Sequence, residues 1–130
     1  MVLTYVDSSV ALAQLFREPR APGQSFWLAP KVSSRLLEYE IWNRLHAHDR
    51  GGSHGGMARD LLRGVELLDL SGRILLRALQ AFPVPVRTLD GLHLATIEFL
   101  RGSGEEIELA SYDRRLTAAA EALDIPIVGL

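Results

Sequence analysis

The sequence predicts an α/β fold, with a central parallel sheet and helices packed on both of its faces. Three observations predict it. The chain opens on an apolar, β-branched run, Val2-Leu-Thr-Tyr-Val6, that stops abruptly at Asp7-Ser8-Ser9, as a strand buried on both faces does in the middle of a parallel sheet. A later run, Glu106-Ile-Glu-Leu-Ala110, ends the same way in Ser111-Tyr112-Asp113. Between and after these runs, strand-like and helical segments alternate, which is the pattern of parallel strands joined by helical crossovers.

Taken in order, Ser8 and Ser9 suit the N-cap of a short helix that runs to about Arg17 and is stopped by Pro19 and Pro22. Ser25-Phe-Trp-Leu-Ala29, closed by Pro30, reads as a second short strand. Ser33 and Ser34 then cap a longer helix to about Asp49, whose Leu37, Ile41 and Leu45 recur every fourth position as a core-facing stripe. Arg50-Gly-Gly-Ser-His-Gly-Gly56 reads as a flexible turn between helices; it is no phosphate-binding loop, since no Gly-Lys-Ser/Thr follows it. Helical spacing resumes from Met57 to Val65, and Glu66 to Leu70 forms a short strand. Ser71 caps a helix through Ala81, closed by Phe82-Pro-Val-Pro85. Thr88 is the expected cap of a helix over Leu89–Leu100, ended by Gly102 and Gly104. After the Glu106–Ala110 strand, Arg114 to Leu123 is helical and Ile125 to Val128 a final short strand.

The 130 residues form one domain, large enough to bury a core without metal or disulfide staples. The absence of cysteine excludes disulfides, thiolate zinc sites and cysteine nucleophiles, and it is compatible with a reducing cytoplasm. No apolar run approaches the ~20 residues of a membrane span, and the first residues lack the pattern of a signal peptide. Net charge is −2, so bulk charge does not advertise nucleic-acid binding. The basic residues are thirteen arginines and a single lysine, Lys31, a bias that suits phosphate recognition and equally follows from genomic base composition.

Four acids stand where a solvated surface charge is not the obvious explanation. Asp7 and Asp113 each follow a strand and begin a helix, so with parallel strands both project from the carboxyl edge of the sheet, where open α/β sheets bind ligands. Each is also a good helix cap. Asp90 lies in the first turn of its helix, where the dipole favours an acid. Glu40 lies among apolar residues of the long helix, and Glu38 competes with it; periodicity alone does not separate the two. Carboxylates are hard oxygen ligands for magnesium, and a hard cation is what phosphodiester hydrolysis needs to polarise the phosphate and acidify a water. No histidine offers a better metal site: His46 and His48 are two apart on a helix, His54 sits in the glycine run, and His93 reads as a packed helix residue.

Tyr5-Val-Asp-Ser-Ser9, Leu36-Leu-Glu-Tyr-Glu40, Thr88-Leu-Asp-Gly-Leu-His-Leu-Ala95 and Ala110-Ser-Tyr-Asp-Arg-Arg-Leu116 together resemble the PIN-domain family, and most closely its VapC-type ribonuclease toxins. The resemblance implies a parallel sheet sandwiched by helices and a magnesium- or manganese-dependent endoribonuclease in which a metal-activated water attacks an RNA phosphate in line. It matches Asp7, Glu40, Asp90 and Asp113 to the family's acids, with Ser8, Ser9 and Ser111 as supporting hydroxyls. Gly91 departs from the family's usual alanine. Arg87, Arg114 and Arg115 flank the implied site as contacts for the RNA backbone. A VapB-type antitoxin, a homodimer, no membrane and a cytoplasmic location complete what the likeness implies. The rival expectations are a PIN fold that binds RNA or protein without cutting, a phosphatase or receiver-like domain built on the strand-end aspartate, and a structural domain whose acids are only caps. A receiver needs a late lysine, and Lys31 is in the wrong place.

Overall fold

The computed structural model describes residues 1–130. Four strands, β1 (Val2–Val6), β2 (Lys31–Ser34), β3 (Val65–Leu68) and β4 (Glu106–Ala110), pair in parallel in the order β3-β2-β1-β4. The chain moves outward from β1 through β2 to β3, then returns to the other side of β1 for β4. That reversal places a topological switch point between β1 and β4, and ligands of open α/β sheets bind at its carboxyl end.

Seven helices complete the fold: α1 (Ser8–Leu15), α2 (Gln24–Leu28), α3 (Arg35–Ala47), α4 (Gly51–Arg63), α5 (Gly72–Ala78), α6 (Thr88–Gly102) and α7 (Arg114–Ala122). Residues on one side of the sheet pack with α6 and α7, where Tyr5, Val32, Ile107 and Leu109 meet Leu94, Ile97 and Leu116. On the other side α1, α3 and α4 bury Ala11, Leu15, Leu37, Ile41, Leu45 and Ala58 together. The stripe of Leu37, Ile41 and Leu45 is fully buried as its spacing predicts. No helix is long and apolar enough to cross a membrane.

Several segments differ from the sequence expectation, each for a physical reason. The segment expected as a strand at Ser25–Ala29 is the short helix α2, which buries no residue. The strand position belongs to Lys31–Ser34, whose four residues are all buried despite three polar side chains. Their polar atoms are satisfied there: the Lys31 ammonium donates to the Ala29 carbonyl at 2.8 Å, and the Ser33 hydroxyl to the Val6 carbonyl at 2.8 Å. Ser34 does cap α3, accepting from the Leu36 N–H. The cap of α1 is Asp7 rather than Ser8 or Ser9, and α6 begins at Thr88 with no side-chain cap. β3 begins one residue before the expected strand, and α5 ends at Ala78 rather than Ala81. Ile125 to Val128 forms only a single bridge to Leu109, because Pro126 accepts from Leu109 but has no N–H of its own to donate.

The largest departure is the glycine run, which is the first half of α4 rather than a turn. Glycine disfavours a helix interior by about 1 kcal/mol per residue, so packing has to supply the difference. Gly55 is buried against Trp42 of α3, and a Cβ there would lie 2.9 Å from the indole ring; at Gly56 it would meet open space. The absent side chain at Gly55 is what lets α4 lie close on α3. Gly56→Ala is therefore expected to raise stability by about 1 kcal/mol, and Gly55→Ala to gain nothing or lose, as read from urea midpoints of the two variants.

Candidate active site

The carboxyl end of β1 continues directly into α1, and the side chain of Asp7 caps that helix. All of its hydrogen bonds fall on one oxygen: Oδ2 accepts from the Ser9 N–H at 3.3 Å, the Ser9 hydroxyl at 2.7 Å and the Ser111 hydroxyl at 2.8 Å. No buried side-chain oxygen in the structure lacks a partner, so Oδ1, which has none, is open to the cavity that Asp7 lines. The cap and the ligand readings of Asp7 are thus compatible, one oxygen for each.

The strand β4 ends beside it, as the sheet register dictates, with Val6 opposite Ala110. Ser111 links the two strand ends, since its oxygen also accepts from the Asp113 N–H at 3.0 Å. Asp113 caps α7 through Oδ1, accepting from Arg115 and Leu116 N–H groups. Asp90, in the first turn of α6, is 8% exposed. Glu40 comes from α3; Oε2 accepts from the Ser8 hydroxyl at 3.2 Å and Oε1 lies 2.6 Å from His93 Nε2. Glu38 pairs with Arg35, and of the two glutamates only Glu40 lines the same cavity as Asp7. Asp7, Glu40, Asp90 and Asp113 all line one cavity of about 810 Å³, with Ser8 and Ser9 in its wall.

Two side chains that the sequence reading gave other roles, Arg87 as an RNA-backbone contact and His93 as a packed helix residue, hold this acidic cluster. Arg87 spans two acids, donating through Nε to Asp90 at 2.9 Å and through its terminal nitrogen to Asp113. Burial alone would raise the Asp113 pKa, but the Arg87 guanidinium and the Leu116 and Arg115 N–H groups outweigh it and hold that carboxyl below its ordinary value. Arg114 and Arg115 are exposed and lie outside the cavity. His93 is packed, as expected, but it is also fully bonded: Nδ1 lies 2.7 Å from the Tyr5 hydroxyl and Nε2 faces Glu40. Burial pushes its pKa down, yet the Tyr5 oxygen, Glu40 and Asp7 together more than offset that and raise it to about 10. The signal was present in the sequence, because Tyr5 shares a strand face with Asp7 at spacing two and His93 a helix face with Asp90 at spacing three.

The donor set fits a hard divalent cation. Asp7, Glu40 and His93 place ligand-type atoms within 4.8 Å of one another, but both ring nitrogens of His93 are already hydrogen-bonded, to Tyr5 and Glu40, so the ligands on offer are carboxylate oxygens. Four carboxylates against the Arg87 and His93 cations leave two negative charges at this end of the cavity.

The family model of the PIN domain matches residues 4–122. The chain belongs to the PIN-domain family. Ribonuclease VapC46 of Mycobacterium tuberculosis is 33% identical to this PIN domain, over 98% of each chain. Ribonuclease VapC35 of the same organism is 29% identical, over 97% of this chain and 96% of its own. A solved toxin–antitoxin complex from Klebsiella pneumoniae shares the fold, with a TM-score of 0.69 at 18% identity, over 97% of this chain and 96% of that one.

His93 makes the stability of the fold depend on pH. Its pKa rises from 6.5 to about 10 on folding, so its contribution is complete below pH 6.5 and is lost as pH climbs towards 10. Melting temperatures of the wild type are expected to fall across that window, and those of His93→Gln to fall less steeply. Parallel pH profiles would contradict a charged His93.

Proposed function

We propose that this protein is a divalent-metal-dependent endoribonuclease, the toxin of a VapBC-type toxin–antitoxin pair. The observation that carries the reading is the cluster of Asp7, Glu40, Asp90 and Asp113 on one cavity wall at the switch point of the sheet, with Asp7 Oδ1 open to it. In this reading Asp7, Asp90 and Asp113 hold the ion, directly or through water, and Glu40 either joins them or orients the attacking water. Magnesium or manganese suits oxygen donors of this kind. The bound ion supplies the Lewis acidity and positive charge that phosphodiester hydrolysis requires.

The remaining groups act on the carboxylates. Ser9 and Ser111 fix Asp7 by its Oδ2, and Ser8 and His93 fix Glu40 by both oxygens. Holding those rotamers in place before substrate arrives limits the reorganisation left for the reaction. Arg87 offsets the charge of Asp90 and Asp113, whose uncompensated carboxylates would repel a phosphate. The relatives named ribonuclease VapC support RNA as the substrate, and the fold shared with a toxin–antitoxin complex is consistent with an antitoxin partner. Self-association into a homodimer belongs to the same proposal; α5 exposes Leu75 and Leu76, and Leu79 follows at 83% exposure. The expected place of action is the cytoplasm, where such RNA is found.

The test is cleavage of total cellular RNA and of single-stranded RNA by the purified protein, in magnesium or manganese and in excess chelator. Endonucleolytic products bearing a 3′-hydroxyl are expected only with the metal. Asp7→Asn and Asp90→Asn are each expected to lower the rate by about 100-fold or more, the scale on which metal sites lose function with their ligands. Cleavage that persists in chelator, or that survives both substitutions, contradicts the proposal.

A further inference from the structure

The cavity does not end at the acids. It continues along the exposed face of α3, where Tyr39, Asn43 and Arg44 line it beside Glu40. On a helix of 3.6 residues per turn these four positions form one contiguous stripe, alongside the buried Leu37, Ile41 and Leu45. Arg44 stands one turn beyond Glu40, about 6 Å further along the axis at 1.5 Å per residue.

Two observations single out this stretch. The first concerns charge. Three arginines line the cavity, and two of them are engaged: Arg87 with Asp90 and Asp113, and Arg20 with Glu18 and the face of Tyr112, 4.6 Å from the ring centroid. The Arg44 guanidinium makes no hydrogen bond and no ion pair, although Glu40 is four residues before it. The second concerns aromatic surface. The chain has nine aromatic residues, and Tyr39 alone among them is strongly exposed, at 59%. Its ring packs against no other ring. A free guanidinium, a free aromatic face and an exposed carboxamide thus adjoin the acid that ends the cluster.

We propose that Tyr39, Asn43 and Arg44 form a nucleotide subsite that holds single-stranded RNA next to the bond to be cut. Tyr39 stacks on an unpaired base, Arg44 binds a phosphate neighbouring the scissile one, and Asn43 meets the edge of the stacked base. Unpaired RNA is gripped in this way, by stacking on aromatic rings and by cations along the backbone. A duplex keeps its bases inside and offers Tyr39 nothing to stack on, so the subsite selects unpaired strands. The inference rests on the ribonuclease reading above and deepens it.

The experiment measures binding of a short, 5′-fluorescein-labelled, single-stranded RNA of randomised sequence by anisotropy, in magnesium. It uses full-length Asp7→Asn protein so that the strand stays whole. In that background Tyr39→Ala is expected to weaken binding roughly 10-fold, within the range for loss of one stacked base, while Tyr39→Phe retains it. Arg44→Gln is expected to weaken binding and to reduce the slope of log affinity against log salt by about 0.7, the value for one phosphate on a single strand. Arg73→Gln, which removes an exposed arginine of α5 far from the cavity wall, leaves both quantities unchanged. In proteins with Asp7 intact, Tyr39→Ala and Arg44→Gln raise KM more than they lower kcat. If both variants bind RNA as Arg73→Gln does while the wild type still cuts, the subsite is wrong and the ribonuclease reading stands. If the wild type neither binds nor cuts RNA, both fall together.

Discussion

The structure depends on how Asp7 divides its two oxygens. Oδ2 closes the start of α1 and ties the ends of β1 and β4 together through Ser9 and Ser111. Oδ1 is left over, open to a cavity and carrying the charge. A carboxylate held this way cannot swing out to solvent to relieve repulsion from its neighbours. Two unit charges ~4 Å apart in a medium of effective dielectric ~20 repel by about 4 kcal/mol, so a cluster of four demands internal compensation. Arg87 and His93 supply it within the fold, and a divalent cation is matched to what they leave.

That compensation explains why the site draws on so many elements. Asp7 and Asp113 come from the two strands that flank the switch point, and their nearness follows from the parallel register of β1 and β4. Glu40 and Asp90 come from helices on opposite faces of the sheet and line one cavity, and His93 of the Asp90 helix bonds Glu40, with Tyr5 on its other ring nitrogen. The contact from Tyr5 through His93 to Glu40 therefore joins strand, α6 and α3 at one buried point. The two helical layers are locked together by the same groups that arrange the carboxylates, so fold and site share their most buried polar contacts.

Much of this was legible in the sequence. The strand runs at Val2 and Glu106, the helical stripe of Leu37, Ile41 and Leu45, and the recurrence of an acid after each strand all follow from periodicity and capping. The strand-end positions of Asp7 and Asp113 placed both on the carboxyl edge of a parallel sheet. What escaped was set by tertiary contacts. Lys31-Val-Ser-Ser34 is too polar to read as a buried strand until its partners, the carbonyls of Ala29 and Val6, are known. The run Gly51 to Gly56 reads as a breaker because propensity alone disfavours it, and only the ring of Trp42 explains a helix there. Glu38 and Glu40 differ by two residues in a helix and by everything in their surroundings. Arg87 and His93 read in sequence as a cation flanking the site and a packed helix residue; their pairing with Asp113 and Glu40 is set by tertiary contacts between residues 26 and 53 positions apart.

If the carboxylates around Asp7 Oδ1 form one divalent-cation site, metal binding depends on Asp7. The most direct measurement is a calorimetric titration of manganese into the metal-free wild type and into Asp7→Asn, at neutral pH and fixed ionic strength. Saturable binding by the wild type is expected, abolished or greatly weakened by Asp7→Asn and unchanged by Glu38→Gln. Binding that is equal in the wild type and Asp7→Asn, or absent from both, would contradict such a site.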